Sequence, residues 1–355
     1  MVSIPGTKIE SGTICPYEEP FRSAWDDYVL RHPKATPFHL TAWKRVIERT
    51  FGFKARYALA ERNGQILGVL PLFLVANPLQ GRALISLPFA VYGGAIADDE
   101  ETAAALRAEA CRIGREERIH YVELRESIPG DFPGFHTKDL YVTFDQDLPE
   151  DGETLLKGFP RDTRYMIRKA QKNGLESVCE RGRCNLDCFY EIYAHSFHHL
   201  GTPVFSKRMF RIIQDEFADQ CELTTVWQEN KALASVFSFR FRHSILPYFG
   251  GSLLEGRKVA ANNFMYFEMM RRALAEGVRH FDFGRSKLGS GSYAFKTQWN
   301  MRERPLPYKF FLIRRSQLPN FSPANAKFRP SISIWKAMPF SLTKLLGPAV
   351  VRLFP

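Results

Sequence analysis

The feature that most constrains the fold of this chain is an internal repeat, because a repeated pattern predicts two domains of one kind. Short stretches of the first half recur in the second half in the same order, at an offset of 166 residues that shortens along the chain. The matched stretches are 36–38 with 202–204, 45–47 with 211–213, 60–64 with 227–231, 91–94 with 248–251, and 121–125 with 280–285. Several matches in one order predict two related domains.

Each half is predicted to contain two helices, a hairpin of two strands, a third strand, a helix and a final strand. The predicted strands are 57–60, 66–75 and 91–94 in the first half and 223–227, 234–241 and 248–251 in the second, and the helices before the final strands are 101–118 and 261–276. This order predicts an α/β fold with layers of helices and sheet. We place the domains at 1–150 and 151–315, with a tail at 316–355 and the boundary in the polar stretch 145–154.

Composition places the chain among globular proteins, with 45% apolar and 25% charged residues. The sequence has no run of about 18 apolar residues, so no membrane-spanning helix is expected. Residues 1–10 lack the pattern of a signal peptide, and we therefore expect a cytoplasmic location. The six cysteines form no CxxC pair and fit no standard zinc spacing, so reduced thiols and no metal are expected.

A basic stretch joins the two halves. From Lys157 to Lys172 there are six cations and a single acid, Asp162. Helical spacing puts Arg161, Arg164 and Arg168 on one face, and guanidinium groups in a row suit phosphate. The alternative is a solvated helix face, which is the usual explanation of a charge run.

The second candidate site is the end of the last predicted strand of the second half. Residues 281–284 contain two phenylalanines around Asp282, and a turn rich in glycine and serine follows, with Arg285, Lys287 and Lys296 beside it. Free backbone N–H groups next to cations suit an anion or a developing oxyanion, whereas the alternative is a basic surface loop. The first half has the matching Arg125 but no lysine that matches Lys296, so the site is predicted in the second half.

The charge of the chain is concentrated at its end. The net charge is +11, and residues 301–355 contain ten cations and one acid. The rest of the chain is nearly neutral, which argues against a DNA-binding groove. The tail also has an apolar stripe at helical spacing: Leu342, Leu345, Leu346, Ala349, Val350 and Leu353. The stripe predicts either packing on the protein's own core or peripheral contact with a membrane.

These motifs resemble a known family. The basic helix ending in 168–175, the strand 281–284 and the stretch 293–296 resemble the FemABX-type peptidyltransferases, and more closely the FemAB-related proteins of exosortase/PEP-CTERM systems. The resemblance covers nearly the whole chain from about residue 17. Supporting stretches are 69–72, 92–94, 200–205, 247–251, 262–266 and 284–287.

The resemblance implies two tandem GNAT-like (acyl-CoA N-acyltransferase) domains, the second of the BioF2-like type. FemABX enzymes transfer an aminoacyl group from tRNA to an amine of a peptidoglycan precursor. Their Phe-Lys motif matches Phe295 and Lys296, where the lysine is implicated in stabilising the oxyanion. Their basic helix contacts phosphate, which implies that role for Arg161, Arg164 and Arg168.

The chain also departs from those enzymes. Residues 297–300 lack their glycine-bearing continuation, and no coiled-coil arm interrupts the second half. The loop 254–260 lacks the full glycine signature of a CoA pyrophosphate site. The donor is therefore left open between acyl-CoA and aminoacyl-tRNA, and no permanently bound cofactor is expected.

The sequence thus predicts an acyl or aminoacyl transferase acting on an amine of a phosphate-bearing envelope or exopolysaccharide precursor, lipid-linked forms included, at the inner face of the cytoplasmic membrane. Lys296 and Arg285 are assigned to charge stabilisation, and Asp282 to accepting the amine proton, with a structural role at the strand end as its alternative. The residues assigned to substrate binding are Lys157, Arg161, Arg164, Arg168, Tyr248, Ser286, Lys287, Tyr293 and Phe295. The alternative function is a non-catalytic module that binds such a precursor or a protein partner.

Overall fold

The computed structural model describes residues 8–9, 12–78, 81–127, 129–319 and 329–355. The chain divides into two compact units, residues 1–140 with 305–320 and Pro355, and residues 141–304 with 321–354. The units interleave along the chain, whereas the domain ranges proposed from the sequence are consecutive. The predictions for residues 1–7, for Ile128 and for the tail segment 320–328 with Lys327 lie outside the described residues.

The first unit begins with two strands and two helices, which are followed by further strands, a long helix and a final strand. Its elements are β1 (Lys8–Ile9), β2 (Gly12–Pro16), α1 (Arg22–Arg31), α2 (Thr41–Phe51), β3 (Lys54–Ala55), β4 (Ala58–Arg62), β5 (Gln65–Leu70), β6 (Phe73–Asn77), β7 (Gly81–Ile85), β8 (Ile96–Ala97), α3 (Glu100–Glu116) and β9 (Tyr121–Leu124). Strands β1, β2, β4, β5 and β8 form an antiparallel sheet, and β7 runs parallel to β9. The strand β10 (His136–Asp147) leads into the second unit, and β16 (Arg302–Leu312) returns to the first.

Two predicted strands of the first unit are corrected. The stretch 66–75 is divided into β5 and β6 around Pro71, because proline has no N–H to donate to a sheet. Residues 91–94 form no strand, and the third strand is instead β7, earlier in the chain. The helix α3 begins where predicted, because the Asp99 side chain caps it by accepting from the N–H of Thr102 at 2.7 Å.

The second unit repeats this order. Its elements are α4 (Gly152–Gly158), α5 (Arg161–Lys172), β11 (Leu175–Arg181), α6 (Asp187–Leu200), α7 (Lys207–Phe217), β12 (Cys221–Gln228), β13 (Lys231–Phe241), β14 (Ser244–Ser252), α8 (Leu254–Lys258), α9 (Ala261–Ala275), β15 (His280–Lys287), α10 (Gly291–Thr297), α11 (Arg329–Ala337) and α12 (Phe340–Val351). Single 3-10 turns occur at Glu19–Phe21, Pro37–His39 and Ala218–Gln220. In both units a helix pair, a hairpin, a third strand and a helix precede a final strand parallel to the third, which confirms the predicted repeat.

The sheet of the second unit has the order β11-β12-β13-β14-β15-β10. All neighbours are antiparallel except β14 and β15. The helix α9 covers this sheet with a buried apolar side that includes Phe264 and Met270, and these pack in one core with Phe281 and Trp299. Burial of this apolar surface is the main source of stability for the unit.

The tail helices α11 and α12 pack on α6 within the second unit. The buried positions of α12 are Thr343, Gly347 and Val351. The predicted apolar stripe does not face the core, because Leu342, Leu345 and Leu346 are exposed. In the described part of the chain, no helix combines the length and the apolar character needed to cross a membrane.

Candidate active site

Strands β14 and β15 begin side by side and then separate. They pair at only two positions, Ser244 with His280 and Ile245 with Phe281. Beyond these, β14 continues its ladder with β13, and β15 continues its ladder with β10. Within the described residues no further ladder joins the two strands. The β14–β15 opening is the stretch over which the two strands are no longer paired, residues 246–252 of β14 and 282–287 of β15.

Gly284 marks the point at which β15 leaves regular strand geometry. Its φ is 70°, in the left-handed region that favours glycine. The carboxylate of Asp282 accepts from the N–H of Gly284 at 2.8 Å and from Oγ1 of Thr143 at 3.0 Å. Asp282 therefore has the structural role predicted as its alternative, and its role as a base stays a prediction.

Lys296 holds this bend from the neighbouring helix α10. Its Nζ donates to the carbonyl oxygens of Phe283 at 2.6 Å, Gly284 at 2.8 Å and Arg285 at 3.2 Å. An ammonium has three protons, so these three carbonyls use its whole donor set. The side chain is only 9% exposed. Lys296 is thus a buried cation that fastens three successive peptide groups of β15.

Burial lowers the pKa of Lys296 to about 7, because a charged amine is poorly solvated in the interior. The positive charge of Arg285 lowers this pKa further, whereas the carboxylate of Asp282 raises it. Strongly shifted pKa values are common among the ionisable side chains of functional sites.

The turn before α10 is closed by its own hydrogen bonds. The N–H and Oγ of Ser290 donate to the carbonyl oxygen of Lys287 at 3.1 and 2.7 Å. Oγ of Ser290 also accepts from the N–H of Tyr293, which caps α10. The ring of Phe295 packs against Tyr266, Phe283 and Trp299. Phe295 therefore anchors α10 so that Lys296 reaches β15.

The other predicted residues of this segment lie along the same strand end. The guanidinium of Arg285 stacks on the ring of Tyr141 at 4.5 Å from its centroid. Ser286 is buried, and its Oγ has no hydrogen-bond partner among the described residues. Tyr293 is half-buried and its hydroxyl donates to Glu303 at 3.2 Å, and Tyr248 packs against Phe239 and Phe249.

The basic stretch is helical but divided at Pro160: Lys157 lies near the end of α4, and the other five cations lie on α5. The buried residues of α5 are Thr163, Ile167 and Ala170, so Arg161 and Arg168 lie on the exposed side. Arg164 is half-buried and donates to the carbonyl oxygen of Lys157 at 3.1 Å. Lys157 itself forms an exposed ion pair with Glu153 at 2.6 Å.

A partly buried hydrogen bond joins the two predicted patches. Oγ1 of Thr163 on α5 donates to the carbonyl oxygen of Gln298, directly after α10, at 2.6 Å. The rings of Phe159 and Trp299 meet edge-on at 5.0 Å beside it. The start of the basic helix is therefore held next to the helix that carries Lys296.

Sequence reasoning missed the contribution of β10. This strand pairs with β15 and places Tyr141 under Arg285 and Thr143 on Asp282. Asp145 is fully buried and binds Arg302 and Arg304, with Nε distances of 2.9 and 2.5 Å. The signal was a polar residue alternating with apolar ones at 142–145, inside a stretch interpreted partly as a boundary.

In the first unit, the position that corresponds to Arg285 is closed by internal hydrogen bonds. Arg125, the counterpart of Arg285 in the repeat, is only 3% exposed. Its guanidinium donates to Glu123 at 2.9 Å and to the carbonyl oxygens of Leu87 and Ala90 at 3.2 and 2.9 Å. The N–H of Gly93 donates to the carbonyl oxygen of Arg125. The first unit has thus used its arginine for internal packing.

The loop between β14 and α9 is folded into the short helix α8. A Cβ at Gly256 would lie 2.8 Å from the carbonyl oxygen of Leu233, so this glycine permits close backbone packing. Among the described residues, no group of three or more His, Cys, Asp or Glu side chains is arranged to hold a metal ion.

Comparison with known proteins identifies a family that matches the part of the chain containing these residues. Residues 158–297 match the family model described as an acetyltransferase (GNAT) domain. This match contains α5, the β14–β15 opening and Lys296. No curated protein sequence matches the chain significantly.

The fold is similar to several solved structures. The crystal structure of FemX has a TM-score of 0.66 and 17% identity, with 85% of this chain and 97% of that chain covered. The C-terminal domain of a putative lysylphosphatidylglycerol synthetase from Agrobacterium fabrum has a TM-score of 0.54 and 12% identity, covering 90% and 95%. A tandem GNAT protein from the clavulanic acid biosynthesis pathway has a TM-score of 0.53 and 13% identity, covering 86% and 99%.

These likenesses confirm the predicted fold class. The chain has a mixed α/β fold of the GNAT type and resembles tandem GNAT proteins. Its second unit contains the matched acetyltransferase domain, and together the domain and the fold support an N-acyltransferase.

Proposed function

We propose that this protein transfers an acyl or aminoacyl group to an amine of a phosphate-bearing precursor of the cell envelope or of an exopolysaccharide. The observation that carries the proposal is the Thr163–Gln298 hydrogen bond, which holds an exposed row of guanidinium groups beside the α10 helix and its buried lysine. A phosphate-binding face next to an opened strand pair suits a substrate with an anionic anchor and a reacting amine.

In the proposed reaction the amine nitrogen attacks the activated carbonyl carbon of the donor. A C–N bond forms, the C–S or C–O bond to the donor's leaving group breaks, and the amine proton passes to a base. Negative charge develops on the carbonyl oxygen before the leaving group departs, and a nearby cation stabilises it. Arg285 and Lys296 are the cations at the opened end of β15, and Asp282, or Tyr248 through water, accepts the proton.

Lys296 acts in this proposal first by holding the strand. Its three carbonyl partners fix the peptide groups of residues 283–285, and with them the position of Arg285. Direct contact with the oxyanion requires Lys296 to exchange one carbonyl partner for the substrate oxygen. The hydrogen bond from Lys296 to the carbonyl oxygen of Arg285 is the longest of the three. We therefore propose that Lys296 exchanges this bond for one to the substrate oxygen.

The basic helix α5 holds the phosphate. Arg161 and Arg168 are exposed on one side of α5, and Arg164 lies between them in sequence. Guanidinium groups bind phosphate oxygens in pairs of charge-assisted hydrogen bonds. Asp162 is the only acid in the helix, so the face keeps its positive charge.

The donor is an acyl-CoA or an aminoacyl-tRNA. GNAT domains use acyl-CoA, which favours the first. We also propose that the protein acts in an exosortase/PEP-CTERM system, which the motif resemblance supports.

The test is a thermal-shift screen against CoA, acyl-CoAs and nucleotide-sugar precursors, followed by an assay for transfer. Arg161→Ala combined with Arg168→Ala is expected to remove stabilisation by the phosphorylated precursor. Arg183→Ala, which removes an exposed arginine elsewhere in the same unit, is the matched control. Stabilisation by the precursor without transfer from any donor would instead favour the non-catalytic binding module.

A further inference from the structure

The tail helices use small and polar residues to pack on the second unit. A Cβ on Gly347 would lie 2.7 Å from Cγ2 of Val204, so α12 approaches this segment closely. Nδ1 of His198 on α6 lies 3.0 Å from Oγ1 of Thr343, and the rings of His195 and Phe340 stack with centroids 3.8 Å apart. These contacts fix which side of α12 faces the protein.

The opposite side of α12 is apolar and faces solvent. Leu345 is 75% exposed. Leu342 and Leu346 are also exposed and lie three residues before and one residue after Leu345. These three leucines make up the C-terminal apolar face. Exposed apolar residues grouped on one side of a helix are typical of a surface that binds something.

The charged residues of the tail helices themselves are all basic. Residues 329–355 contain four cations, Arg329, Lys336, Lys344 and Arg352, and no acid. Lys336 is exposed, whereas Lys344 pairs with the acid Glu191 of α6. An apolar helix face on a segment whose own charges are all basic is complementary to an anionic lipid surface, where aliphatic side chains enter the acyl boundary and cations meet phosphate.

We propose that the C-terminal apolar face binds the surface of an anionic lipid bilayer. The helix α12 would lie along the membrane with its packed side on the protein, because its polar contacts to α6 remain in place. This inference concerns binding alone and goes beyond the proposed function, since it does not depend on the transfer reaction.

The experiment is flotation of the full chain with vesicles of phosphatidylcholine alone and of phosphatidylcholine mixed equally with phosphatidylglycerol. The wild type is expected to float with the mixed vesicles and much less with phosphatidylcholine, and to lose binding as NaCl rises. Leu345→Glu is expected to weaken binding by roughly tenfold or more, because it puts a charge in the centre of the face. Because Leu345 is exposed, this substitution should leave the fold intact, and circular dichroism checks that it does.

The control is Leu254→Glu, which places the same charge at a residue of the second unit that is 52% exposed. This variant should bind mixed vesicles as the wild type does. Failure of the wild type to bind mixed vesicles, or equal binding by Leu345→Glu, would overturn the proposal. Self-association that Leu345→Glu abolishes, seen by sedimentation without vesicle binding, would overturn it in favour of a second copy of the chain.

Discussion

The Nζ of Lys296 lies 2.8 Å from the carbonyl oxygen of Gly284, the residue at which β15 takes a positive φ. A buried cation therefore fastens the strand at its bend, and the neighbouring carbonyls of Phe283 and Arg285 complete the set. The bend lies three residues beyond Phe281, the last residue of β15 that pairs with β14. One lysine thus links the short helix α10 to the opening of the sheet.

The first prediction concerns the pH dependence of stability. The pKa of Lys296 is about 7 in the folded chain and near its ordinary value of 10.5 when unfolded, so between these values the unfolded chain binds more protons. The free energy of unfolding therefore rises with pH across this window, by up to about 1.4 kcal/mol per pH unit. Lys296→Met should lack this slope in urea unfolding at a series of pH values. Lys231→Met, at an exposed lysine, should keep it, and equal slopes for all three proteins would refute the assignment.

The second prediction distinguishes the effect of the bend at Gly284 on transfer from the effect of backbone strain in general. Gly284→Ala puts a Cβ at positive φ and 3.3 Å from Cδ1 of Leu246, and should destabilise the fold by about 1–2 kcal/mol and lower the transfer rate. Gly277→Ala has the same kind of φ, 79°, with no atom within 4 Å of the new Cβ. This control should lower stability by about 1 kcal/mol with the rate unchanged. If both variants transfer equally well, the bend has no part in the reaction.

The third prediction concerns the buried carboxylate of β10. Asp145 is fully buried, whereas Arg302 and Arg304 are about half exposed. Replacing both arginines with Met leaves the buried carboxylate of Asp145 without these ion-pair partners. This change should lower the free energy of unfolding by about 3–5 kcal/mol. Asp145→Asn should cost less, about 1–2 kcal/mol, because water solvates the arginines left behind. Denaturant titration measures both values, and the reverse order would contradict this account.

Part of the fold was predictable because it depends on periodicity. The repeat, the helix α5 and the final strand β15 follow from spacing that the sequence displays directly. The strand β10 did not, because a strand bearing Thr143 and Asp145 at its centre resembles a polar linker until its partners are known. Which side of α12 packs on the protein was also not predictable, because that side contains Thr343 and Gly347 rather than leucines.

The candidate site was predictable to a similar degree. The sequence indicates Arg285 and Lys296 through their charge beside a glycine-rich turn, and the structure brings them to one strand end. The partners of Lys296 are backbone carbonyls, which no side-chain pattern reveals. The absence of a lysine that matches Lys296 predicts the site in the second unit, but the internal partners of Arg125 were not predictable, because Arg125 and Arg285 are the same residue type in matching positions.

In the proposed function, acyl transfer takes place at the end of β15 beside the β14–β15 opening and depends on Lys296. The most direct test is the transfer rate of Lys296→Ala under saturating donor and acceptor, with Lys231→Ala as the matched control. Loss of the positive charge and of the strand contacts should lower kcat by about 10²–10³-fold, the range for removal of one oxyanion-stabilising group. The control should keep the wild-type kcat. A folded Lys296→Ala protein with unchanged kcat would contradict the account.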